Sequence, residues 1–88
     1  MGGRLQIYTR TGCHLCTEML DKVRPIASRH GASIELVDID ADPSLTAAHN
    51  TRIPVLLLDG REICHHFLDI EALERALRGL SEQSPESG

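Results

Sequence analysis

Residues 4–9 alternate in polarity. Leu5 and Ile7 fall on one side of an extended chain and Gln6 and Tyr8 on the other, the period of a strand with one buried face. After the loop Thr9-Arg10-Thr11-Gly12 the period changes. Leu15, Met19, Val23, Ile26 and His30 fall in one helical stripe, and the run Glu18 to His30 reads as helix. Pro25 lies inside it, deprives the Asp21 carbonyl of its donor and predicts a kink, with a stop at Arg24 as the alternative. Gly31 closes the segment. Ile34-Glu35-Leu36-Val37-Asp38-Ile39 is a second strand. Asp42-Pro43-Ser44 is an N-cap followed by a first-turn proline, opening a short helix that runs to about His49 and stops at Asn50. Ile53-Pro54-Val55-Leu56-Leu57-Leu58 is the most apolar run, the composition of a strand covered on both faces. Asp59-Gly60 signals a two-residue hairpin, with Arg61-Glu62-Ile63 returning. Cys64-His65-His66-Phe67 links to a last helix whose buried stripe is Ile70, Leu73, Leu77 and Leu80. Glu71 with Arg75, and Glu74 with Arg78, pair on its outer side.

The order is β-α-β-α-β-β-α. One helix in the first crossover suits a parallel pair, and the hairpin adds an antiparallel one. The fold class is α/β, a four-stranded mixed sheet with helices on both faces. The 88 residues make one domain, assigned to 1–80, with the polar residues 81–88 as a disordered tail. Hydrophobic residues are 41% of the chain and the aromatics are Tyr8 and Phe67 alone, so the core is aliphatic.

Net charge is −4 and the nine Lys and Arg residues are scattered, which argues against nucleic acid as a partner. No apolar run approaches a membrane span, and Met1-Gly2-Gly3-Arg4 has no signal-peptide pattern. Three cysteines are too few, and odd in number, for the disulfide framework of a secreted fold. These features predict a soluble, monomeric, cytoplasmic protein that touches neither membrane nor nucleic acid.

The chemistry sits at Cys13-His14-Leu15-Cys16, where the first strand hands over to the first helix. Disulfide exchange needs a thiolate, and a free thiol ionises only near pH ~8.5. At the first turn of a helix, unpaired N–H groups and the positive end of the dipole favour the ionised form of Cys13. Arg10 and His14 add positive charge, and Gly12 leaves room for another backbone. Cys16, one turn on, lies within bonding reach and is the more buried thiol. Two other readings stand beside this one. Cys13 and Cys16 with Cys64, His65 and His66 make a metal-binding cluster, although the spacing matches no zinc motif. Alternatively, the chain is a non-catalytic module that holds a peptide on its Ile53-Pro54 edge. Asp38, Asp40 and Asp42 read as a strand end and an N-cap, not as metal ligands. Cys64 is a core-edge thiol or a third redox thiol.

Tyr8-Thr9-Arg10-Thr11-Gly12-Cys13-His14-Leu15-Cys16, Val37-Asp38-Ile39-Asp40, Ile53-Pro54-Val55 and Asp59-Gly60 together resemble the small glutaredoxin-like proteins of the thioredoxin superfamily. The likeness covers roughly residues 4–80. It implies the thioredoxin-like fold and a thiol–disulfide oxidoreductase with Cys13 as attacking and Cys16 as resolving thiol. It also implies a cis Ile53-Pro54 bond facing the cysteines, with Ile53, Pro54 and Arg52 on the substrate side. Substrates are then protein disulfides or glutathione mixed disulfides. No cofactor or metal is bound; the electron donor is unnamed, with glutathione as a candidate reductant. True glutaredoxins hold the glutathione carboxylate with a Gly-Gly pair and a nearby Asp. Here that place reads Cys64-His65-His66-Phe67, and Asp69 reads as a helix cap.

Overall fold

The structure, a computed structural model, describes residues 3–49 and 52–82, with the side chains of residues 80–82 excepted. The chain forms β1 (Arg4–Thr9), α1 (His14–His30), β2 (Ser33–Asp38), a 3-10 turn (Ile39–Ala41), α2 (Pro43–His49), β3 (Val55–Leu58), β4 (Arg61–His65) and α3 (Ile70–Glu82). β1 pairs parallel with β2 and antiparallel with β3, and β3 pairs antiparallel with β4. The sheet order is β2-β1-β3-β4, the mixed sheet expected from the order of segments.

Register accounts for what is buried. Leu5 lies opposite Leu58 and Ile34, and Ile7 opposite Leu56 and Leu36. Paired residues share a face, so these side chains stand on one side of the sheet. There Met19, Val23 and Ile26 of α1 and Leu73 and Leu77 of α3 complete the core. Each such side chain, fully removed from water, stabilises the fold by about 1.5–3 kcal/mol. Arg29 Nη2 donates to Glu74 Oε2 at 3.0 Å, tying α1 to α3. On the other side Gln6 lies opposite Leu57 and Tyr8 opposite Val55. His49, the last residue of α2, sets its ring edge-on to Tyr8 with centroids 4.9 Å apart. β3 is therefore covered on both faces, and all four of its residues are buried.

Local chemistry sets the ends of the elements. Gly31 adopts φ 68 and donates its N–H to the carbonyls of Ala27 and Ser28, ending α1. Asp42 Oδ1 accepts the Ser44 N–H at 2.9 Å and Asp69 Oδ1 the Ala72 N–H at 3.0 Å, so both aspartates cap helices. Asp59 and Gly60 have φ 51 and 87, the left-handed pair of the predicted hairpin.

Several boundaries differ from the sequence expectation. α1 begins at His14, directly after Cys13 as the placement of Cys13 at the first turn requires, so it is longer than the run from Glu18, and it passes through Pro25 without the stop at Arg24. Pro25 is exposed, so water has access to the carbonyl left without a donor. Cys16 takes a buried place in α1, while Leu15 is only half-buried. β3 starts at Val55, two residues after Ile53, and β4 extends through Cys64 and His65, beyond the strand end at Ile63 that the sequence predicts. A register shift falls between Leu56, opposite Cys64, and Leu57, opposite Glu62. Ile63 is the extra residue of this bulge, which lets consecutive Ile63 and Cys64 both pack against the core. Ile70, assigned to the buried stripe, is 48% exposed because it is the first residue of α3. α3 continues through Ser81 and Glu82, two residues into the segment read as tail. Asn50, the Leu80 side chain and residues 83–88 lie outside the described residues. Among the described residues no helix is long and apolar enough to cross a membrane.

Candidate active site

The register collects one end of the sheet. Thr9, the last residue of β1, lies beside Asp38, the last of β2. Tyr8 lies opposite Val55, which places Pro54 at the same end, and Val55 lies opposite His65. The loop 10–13, the Ile53-Pro54 pair and His66-Phe67 therefore leave the sheet together, on strands about 4.8 Å apart.

Cys13 is the N-cap of α1, with an extended backbone at φ −87 and ψ 108. That conformation turns its side chain back over the helix mouth, where Sγ accepts the Cys16 N–H at 3.1 Å. A cysteine sulfur thus fills the place that a serine or aspartate oxygen takes in an ordinary cap. The Thr17 N–H and hydroxyl both donate to the Cys13 carbonyl, at 3.3 and 3.4 Å, and fix the first turn. Cys13 and Cys16 are joined as a disulfide with Cα atoms 5.3 Å apart. Cys16 is 5% exposed and Cys13 half-buried, so one sulfur-bearing residue sits at the core and the other at the rim.

Gly12 has φ 82, and a Cβ there would meet nothing within 4 Å. Within the chain the glycine answers to backbone conformation; no neighbour crowds it. The Cys13 N–H donates to the Arg10 carbonyl at 3.3 Å. The Arg10 guanidinium turns to Asp40, Nε to Oδ2 at 3.2 Å and Nη2 to Oδ1 at 2.7 Å. It holds the Asp40 carboxyl below the usual carboxylate range, and Asp40 in turn raises Arg10. Sequence reasoning did not place Asp40 at the site; its pointers were the Val37-Asp38-Ile39-Asp40 segment and the opposite sign of charge 30 positions away in the chain. The disulfide lies in an open groove of about 260 Å³ whose walls include Arg10, His14, Thr17, Leu20 and Leu36. Leu36 points to the core face yet is 53% exposed, because β2 is an edge strand. That exposure forgoes on the order of 1 kcal/mol of burial.

The Ile53–Pro54 peptide bond is cis, and Pro54 is buried. The Pro54 carbonyl accepts the His66 N–H at 2.8 Å, fastening the strand entrance to the segment after β4. Arg52 Nη2 donates to Glu62 Oε2 at 2.6 Å, so its charge is directed to β4. His65 and His66 bring their Nδ1 atoms to 2.7 Å of each other. Cys64 packs against the core, and burial pushes its thiol pKa up, offset in part by the Asp69 backbone N–H. The metal cluster read from Cys13, Cys16, Cys64, His65 and His66 is not assembled: Cys13 and Cys16 bond each other. Among the described residues no three His, Cys, Asp or Glu side chains are grouped to hold a metal ion.

A mixed four-stranded sheet whose first strand leads through a C-x-x-C pair into a helix, with a cis-proline opening the neighbouring strand, defines a thioredoxin-fold protein. Solved structures agree at the level of fold. Oxidised mitochondrial thioredoxin 3 from Saccharomyces cerevisiae aligns with TM-score 0.64 at 19% identity, covering 86% of this chain and 76% of its own. The glutaredoxin-like domain (DUF836) matches residues 4–78, and the chain belongs to that family. A Nitrosomonas europaea protein solved in solution by NMR aligns with TM-score 0.80 at 35% identity, covering 88% of this chain and 93% of that one. An uncharacterized protein of Mycobacterium tuberculosis is 30% identical over 73 residues, covering 77% of this chain and 73% of its own length.

Proposed function

We propose that the chain is a thiol–disulfide oxidoreductase of glutaredoxin-like type, with Cys13 as the attacking and Cys16 as the resolving thiol. The observation that carries this reading is the seat of Cys13 Sγ at the helix mouth, accepting the Cys16 N–H at 3.1 Å. A donor aimed at the sulfur and the positive end of the helix dipole both favour thiolate over thiol. In the reduced protein the Cys13 thiolate attacks one sulfur of a substrate disulfide. The S–S bond breaks, one substrate thiolate leaves and a mixed disulfide forms. Cys16 loses its proton and attacks Cys13 Sγ, which releases the second substrate thiol and leaves the Cys13–Cys16 disulfide. The substrate gains two electrons and the protein loses two. The disulfide form then returns to dithiol by exchange with two thiols of a donor, for which glutathione is the candidate. Such a cycle suits a reducing compartment such as the cytoplasm. Arg10, Gly12 and His14 position or tune the attacking sulfur in this reading, while Ile53 and Pro54 face the substrate.

The test is insulin reduction driven by dithiothreitol. Cys13→Ser abolishes the catalysed rate, and Cys16→Ser accumulates a mixed disulfide visible by intact-mass measurement. Full activity in Cys13→Ser overturns the assignment.

A further inference from the structure

His66 has φ 68, a left-handed backbone uncommon for residues other than glycine. Across it the Phe67 N–H donates to the His65 carbonyl at 2.8 Å, closing a three-residue γ-turn of the strained hand. The His66 N–H is itself bonded to the Pro54 carbonyl at 2.8 Å, so the turn is pinned to the cis-proline segment. The side chain that follows, Phe67, is 70% exposed. The other aromatic, Tyr8, is engaged with His49, and Phe67 is neither in the core cluster nor among the partly buried residues packed against it. Packing therefore does not explain why a strained turn delivers a large apolar side chain to water. Strain of this kind persists where the surroundings over-determine it, and it concentrates at functional segments.

Position decides what such a side chain meets. Phe67 follows β4 at the end of the sheet from which the Cys13 loop leaves β1, with β3 alone between the two strands. The strands β1 and β4 from which the two segments leave are two strand spacings, about 10 Å, apart. An extended polypeptide covers it in about three residues. The cations Arg10 and Arg52 are already engaged by Asp40 and Glu62, so the acidic groups of a small tripeptide thiol find their counter-charges committed. An exposed aromatic fits an apolar side chain instead, and aromatics are prominent among interface anchors.

We infer that Phe67 is a substrate-docking residue, and that the site takes disulfides carried on polypeptides with an apolar residue within about three positions of the attacked cysteine. This rests on the thiol–disulfide exchange reading and adds to it the class of substrate. The probes are insulin and oxidised glutathione, each reduced by the full chain with dithiothreitol as electron source. Wild type is expected to favour insulin in kcat/KM. Phe67→Ser lowers the ratio of kcat/KM on insulin to that on glutathione about tenfold, through KM, and Phe67→Tyr restores it. A wild-type preference for oxidised glutathione, or an unchanged ratio in Phe67→Ser, overturns the docking role and leaves the exchange reading standing. Wild type inactive on both disulfides overturns the exchange reading and the docking role together.

Discussion

Arg10 grips both carboxylate oxygens of Asp40, joining the loop that precedes the cysteines to the 3-10 turn that follows β2. The hydrogen bond from Arg10, more than the charge itself, holds the Asp40 carboxyl below its ordinary range. A carboxylate lowered in the folded state stabilises the fold fully above the unfolded value, about 3.9 for Asp. That contribution is lost as pH falls through the lowered folded value. Arg10→Gln is expected to move the Asp40 midpoint upward in a carboxyl-carbon NMR titration and to flatten the acid limb of stability against pH. Both groups reach solvent, so added salt weakens the effect. An Asp40 midpoint at the ordinary value in wild type would count against the pair.

The three thiols differ in surroundings, and their reactivity is expected to follow. Cys64 is pushed up by burial, whereas Cys13 sits at the groove rim under a helix mouth. In the reduced protein at neutral pH, iodoacetamide labels Cys13 ahead of Cys64, read by peptide mass mapping over time. Equal rates at the two sites would show that the helix mouth does nothing for the sulfur. A thiol raised in the folded state also carries a sign. Its stabilising contribution is complete below the unfolded value and fades as pH rises through the folded one.

Gly12 separates a conformational requirement from a steric one. With φ 82 and open space around the position, Gly12→Ala is expected to destabilise by about 1–2 kcal/mol, the cost of left-handed backbone for an L-residue. D-alanine at the same place, introduced by chemical synthesis, should cost none of it. Urea unfolding of the two proteins makes the comparison, and equal losses would point to a clash instead.

Leu73 of α3 is fully buried against the face shared by Leu5, Ile7, Leu56 and Leu58. Leu73→Ala is expected to cost about 2–5 kcal/mol in urea unfolding. That is a large fraction of the stability of a domain this small. The same change at Leu36, half in water on the edge strand, should cost far less.

Much of the architecture was legible because it follows from short-range rules. Alternation in Leu5-Gln6-Ile7-Tyr8 and the Asp59-Gly60 turn each dictate local geometry that tertiary contacts then reinforce. The four consecutive apolar residues of β3 behave likewise. The helix-start cysteine pair was legible for the same reason. What escaped depends on partners distant in sequence. Nothing near Arg10 announces its pairing with Asp40, and nothing near Arg52 announces its pairing with Glu62. The extension of β4 to His65 needs the bulge at Ile63, which a strict two-residue period does not show. Ile70 fits the apolar stripe by spacing but lies at the very start of its helix, beyond the layer it was to cover. The cis state of Ile53–Pro54 came from family likeness, since residue identity favours the trans form.

β1 lies between β2 and β3, hydrogen-bonded along both of its edges, and the segment bearing Cys13 grows directly from it. In the proposed exchange, electrons would thus pass at a site that grows from a strand paired on both edges. Oxidised and reduced forms should share nearly one backbone, with amide protons of Ile7 among the slowest to exchange in both. A partner that tells the two forms apart would then have to read the rim of the groove itself, where Cys13 lies.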